Sequence, residues 1–72
     1  MVKREKFLED AKAEPARFYR MPNDILRDRR LSPEDRREIL AAWQTRVAEE
    51  APDEPELGAA IQRALDELAM GT

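Results

Sequence analysis

Apolar side chains fall along this chain in helical intervals, and the segments they mark are cut apart by prolines. The clearest stripe runs through Leu57, Ala60, Ile61, Ala64, Leu65 and Leu68, the i, i+3, i+4, i+7 spacing of a single helical face. It predicts a helix over about 54–69, started by Asp53 as N-cap with Glu56 three residues on and ended near Gly71. A second stripe, Ile39, Leu40, Trp43 and Val47 with Ala42 alongside, predicts a helix over 33–50. Ser32 is a strong N-cap for it and Pro33 suits its first position. Glu34 and Asp35 place negative charge in its first turn, with Asp35 standing where Glu or Gln would complete a capping box. Only a few residues join these two helices, so they should pack antiparallel as a hairpin, with Trp43 and Ile61 or Leu65 at the centre of the core.

Upstream, Pro22 and Asp24 give a second helix start, eleven residues before Pro33. It predicts a two-turn helix over 22–29, with Ile25 and Leu26 inward and Arg29 and Arg30 at its C-terminal end, where cations are favoured. The two starts share the form x-Pro-x-Asp, the same initiation physics used twice rather than a repeat. Over 3–13 helix formers place Phe7, Leu8 and Ala11 on one side, but the rest is charged and no N-cap precedes it. That helix depends on docking. The stretch from Pro15 to Arg20 reads as an irregular connector whose aromatics, Phe18 and Tyr19, cover an edge of the core. No segment alternates with a period of two, and only two glycines are present. The fold class is therefore all-α, a three- to four-helix domain filling residues 1–72.

Composition removes most chemistry. The 72 residues contain no cysteine and no histidine. Disulfides, thiolate ligands and a cysteine nucleophile are excluded, along with the commonest general base and transition-metal ligand. Ser32 is the only serine and has no base to activate it. Carboxylate pairs such as Glu34 with Asp35, or Glu49 with Glu50, sit at helix ends or on polar faces. A general acid needs a pocket that raises its pKa. The acidic run from Glu49 to Glu56 lacks the alternating ligands and central glycine of a calcium loop. The sequence thus predicts no catalytic residue, no metal site and no cofactor. A core this small contributes roughly 3–5 kcal/mol net, which leaves little apolar surface to line a substrate pocket.

Charge is uneven. Residues 1–48 carry twelve Lys/Arg against nine Asp/Glu, a net of +3, and residues 49–72 carry one against seven, a net of −6. The asymmetry marks either a binding polarity or attraction between the two halves. No stretch is apolar enough to span a bilayer, and the first residues lack the apolar region of a secretory signal, so the expected location is the cytoplasm.

Two interaction readings remain. In the first, the chain binds a protein partner or a second copy of itself, with Phe7, Phe18 and Tyr19 as an aromatic contact patch. In the second, Arg29, Arg30, Arg36 and Arg37, within a basic cluster over 27–37, engage nucleic acid, since a short helix, a turn and a longer helix resemble a helix-turn-helix. Against the second, the longer helix begins with Glu34 and Asp35, whose carboxylates would face phosphates, and the chain is net acidic.

The skeleton Pro22…Asp24-Ile25-Leu26…Asp28…Arg30-Leu31-Ser32…Arg37…Ile39-Leu40…Trp43 resembles a short, uncharacterised alphaproteobacterial protein family. That family reads Pro-x-Asp-Val, Asp-x-Arg-Leu-Ser and Ile-Leu-x-x-Trp before an acidic stretch and a last Leu-rich helix. This chain departs from it at Met21, where a cap residue is expected, and at Gln44-Thr45-Arg46. The resemblance implies a small helical fold and no known activity.

Overall fold

Four of the five helices begin at a proline. A computed structural model describes residues 3–71, with side chains placed from Lys6 onward, and it holds α1 (Lys3–Ala13), α2 (Pro15–Phe18), α3 (Pro22–Arg27), α4 (Pro33–Glu50) and α5 (Pro55–Gly71). Proline suits a first helical position because the N–H it lacks would have no partner there and its φ is already helical. The described residues contain no strand, and the fold is all-α. Residues 1, 2 and 72 of the expected domain lie outside the described segment.

The expected hairpin is present. The four residues from Ala51 to Glu54 turn α4 back into α5, and across the pair the Gln44 side-chain amide donates to Gln62 Oε1 at 2.6 Å. Trp43, Ile39 and Leu40 of α4 and Ile61, Ala64 and Leu68 of α5 are buried together with Ala11, Ile25 and Leu31. Ile61 lies at the centre, fully buried, and Leu65 is only partly covered. α4 is the axle of the molecule. It packs against α1, α2, α3 and α5, whereas α1 and α2 touch neither α3 nor α5.

Three local expectations need correction. The stretch after Pro15 is a helical turn, α2, with the Tyr19 N–H donating to the Pro15 carbonyl at 2.9 Å. Pro15 acts as the same first-position residue as Pro22 and Pro33. The helix expected over 22–29 stops at Arg27, because Asp28 turns the chain: its Oδ1 accepts the Arg30 N–H at 3.0 Å and its carbonyl accepts the Leu31 N–H at 3.2 Å. An Asp side chain competes with helical hydrogen bonding in this way and favours turns. Arg29 and Arg30 therefore sit in a tight turn, not in the last turn of a helix. The final helix begins at Pro55 rather than directly after Asp53, and the Glu54 carbonyl accepts the Gly58 N–H at 3.4 Å. A residue preceding proline is biased away from helical backbone angles, which delays the start by one residue.

At α4 the capping box is complete despite the shorter acid. Ser32 Oγ accepts the Asp35 N–H and Asp35 Oδ2 accepts the Ser32 N–H, both at 3.1 Å. Ser32→Ala should lower stability by about 1 kcal/mol. Chemical denaturation would register this as a lower midpoint at unchanged slope, and an unshifted midpoint would make the cap dispensable.

Candidate interaction surface

The turn between α3 and α4 is built around one carboxylate. Asp28, with a side chain 9% exposed, accepts the Tyr19 hydroxyl at 2.8 Å and a two-pronged contact from Arg30, Nε at 3.0 Å and Nη2 at 2.8 Å. The Asp28 carbonyl takes a further bond from Arg36 Nη2 at 2.9 Å. The Arg30 guanidinium holds the Asp28 carboxyl far below the usual carboxylate range, with the turn N–H and the Tyr19 hydroxyl adding to the effect. Tyr19 moves the other way. Burial, and then its bond to the Asp28 carboxylate, push the phenol well above its ordinary value.

Above this hub the aromatics stack outward. The Arg30 guanidinium lies 4.6 Å from the centre of the Phe7 ring, and Phe7 meets Phe18 edge-on with centroids 5.5 Å apart. Of the three aromatics singled out in the sequence, Phe7 and Phe18 meet, and Tyr19 and Phe7 face inward. Tyr19 is 6% exposed, and Phe7 is half-buried against the core beneath Arg30. Tyr19 is accordingly a core residue and not a contact residue, because its hydroxyl has a buried carboxylate to reach. Phe18 alone remains open, at 43%.

The arginine cluster divides in the same way. Arg30 and Arg36 are committed to Asp28, whereas Arg29 and Arg37 are exposed and have no ion pair among the described residues. Arg36 is half-buried, not a freely solvated side chain.

The chain's one tyrosine provides a direct test of the hub. Above about pH 10 the unfolded tyrosine ionises while the folded one resists, so the stability this raised pKa contributes is complete below pH 10 and lost as pH rises further. Tyr19→Phe should cost about 1 kcal/mol at neutral pH and flatten the alkaline decline. Phenolate absorbance followed against pH checks it, and a titration near 10 in the folded protein would contradict the buried hydroxyl.

Beside the aromatic stack, α2 stands against the C-terminal half of α4 and leaves a hollow of about 240 Å³. Pro15 and Ala16 form one wall, Val47 and Ala51 the other, and Trp43, 4% exposed, lines it from the core side. Two ion pairs frame it. Arg17 Nη1 meets Glu14 Oε1 at 3.2 Å, and Arg46 Nε meets Glu50 Oε1 at 3.4 Å, the latter an i, i+4 pair. Arg46 Nη1 also donates to the Ala13 carbonyl and so pins the end of α1 to α4. On the other side of α2, Phe18 borders a second, more polar hollow with Asp10 and Ala13.

Sequence reasoning reached Phe18 but missed this hollow. Its walls are small residues, Ala16 and Ala51, brought together only by the helical turn at Pro15. Among the described residues no group of three or more acidic side chains is placed to hold a metal ion, and no helix is long and apolar enough to cross a membrane. In comparisons with known proteins, no family model, no curated protein and no solved structure matches the chain.

Proposed function

We propose that this chain is a small, non-enzymatic, cytoplasmic protein-interaction module whose docking surface is the hollow between α2 and α4. The observation that carries the reading is an apolar recess backed by Trp43 on the surface of a domain too small to spare apolar surface without use. The nucleic-acid reading has less support, because Arg30 and Arg36 are spent on Asp28 and Asp35 closes the start of α4. Kinship with the alphaproteobacterial family would add no activity to this picture.

Ala16 is exposed and lines the recess, so Ala16→Glu obstructs it while adding a charge that the start of a helix tolerates. The variant should melt within a few degrees of the parent, as surface substitutions do. It should also lose any association the parent shows, with itself or with a partner, in light scattering over about 1 to 100 μM, the range of weak specific complexes. Association that survives in the variant would place the docking surface elsewhere.

A further inference from the structure

The charge around the hollow selects its occupant. The recess opens at the C-terminal end of α4, where the helix dipole leaves partial negative charge and where the last turn carries no basic residue. Pro52 has no N–H to offer the Ala48 carbonyl, so that helical acceptor is left without its usual donor. Glu49 in the last turn of α4, and Asp53, Glu54 and Glu56 in the turn and the first residues that follow, are all exposed and none is in an ion pair among the described residues. The nearest cations, Arg17 and Arg46, are already matched by Glu14 and Glu50. An apolar recess whose own charges are matched thus opens beside an acidic turn whose carboxylates have no ion pair among the described residues.

We infer that the hollow receives a basic amphipathic segment of another protein: one or two large apolar side chains seated against Trp43, flanked by Lys or Arg that meet the acidic turn. This deepens the interaction reading and rests on it. Apolar anchoring supplies the contact area, and the flanking charges supply attraction that weakens with salt and rejects acidic partners.

Trp43 is the only tryptophan and lines the recess, so its emission reports occupancy directly. The probes are two synthetic helical peptides, one of Leu and Lys and the other of Leu and Glu at the same positions. The Leu/Lys peptide should shift Trp43 emission saturably, the Leu/Glu peptide should not, and added salt should weaken the first. Glu49→Lys with Asp53→Lys should weaken Leu/Lys binding roughly tenfold or more. Melting should be unchanged or raised in that variant, since lysine at position 49 complements the end of α4. Ala16→Glu should abolish binding although it adds negative charge. Stronger binding in Ala16→Glu would mean general attraction to an acidic protein and would overturn the inference.

Equal binding of both peptides, or indifference to the lysine substitutions, would overturn the charge selection and leave the docking surface standing. Emission that changes with the protein's own concentration, without peptide, would give the hollow to a second copy and overturn the inference in that way. If neither peptide shifts the emission and the protein stays monomeric, the charge selection and the interaction reading fall together.

Discussion

Trp43→Ala should abolish cooperative unfolding. The indole is 4% exposed and packed in a core shared by α1, α3, α4 and α5, so its truncation removes a large buried area and leaves a cavity. Losses of this kind cost about 3–5 kcal/mol. A helical domain of this size has roughly 3–5 kcal/mol in total, so the variant would populate mainly unfolded chain at room temperature. Circular dichroism at 222 nm during heating gives the measurement. A sigmoidal transition for Trp43→Ala within a few degrees of the parent would show that the core does not depend on the indole. Trp43→Phe, which keeps most of the apolar volume, should preserve the transition at a lower midpoint.

The second large effect belongs to Asp28. Replacing it by Ala removes the acceptor of the Tyr19 hydroxyl, the side-chain bond that sets the turn after α3, and the contact that holds Arg30 over Phe7. A buried hydroxyl left without a partner and a turn left without its Asp together cost about 2–3 kcal/mol. The pH dependence follows from the same contacts. The Asp28 pKa is depressed in the folded protein, so its contribution is complete above the unfolded value of about 4 and is lost as pH falls toward and through the folded value. The parent should therefore weaken on acidification from about pH 5 downward, and Asp28→Asn should be less stable at pH 7 but lose less on the way to pH 3. Denaturation midpoints at the two pH values decide the matter, and parallel acid limbs in parent and variant would remove Asp28 from the account.

The architecture was legible wherever a helix carried a continuous apolar stripe. Positions 39, 40 and 43 in α4 and 61, 64 and 68 in α5 were readable as core because burial repeats with the helical period, and they are buried. The short elements were less legible. Pro15 lacks the acidic residue that follows Pro22 in the first turn and announces a start, and its four-residue helix is too short to display a period. Asp28 gave no signal on its own, since its partners Tyr19, Arg30 and Arg36 converge only once the chain has folded.

The hollow was harder still. It is a space between alanines and a proline, and small residues mark no site in a sequence. Most residues of the family-like pattern are a buried residue, a cap and core side chains (Leu31, Ser32, Ile39, Leu40 and Trp43), and its exposed Arg30 is held on the Asp28 turn. A pattern of that kind records how a helix is started and packed, and it says little about what the surface meets.

Because α4 is the one helix that packs against both flanks of the molecule, which otherwise meet through Tyr19 on Asp28 and Phe7 under Arg30, the domain has a built-in order of opening. α1 and α2 form one layer on α4, while α3 and α5 form another and also pack on each other. Peeling away the first layer exposes one side of α4 and leaves a three-helix remainder with its own mutual contacts; peeling away the second strips α4 of its larger partner. Amide protons of α1 and α2 should thus exchange through a shallow partial opening, and those of α4 and α5 only through the global one. The recess spans that division, with one wall on α2 and the other on α4, so a ligand seated in it would clasp the early-opening layer to the late one and slow exchange across α1 as well.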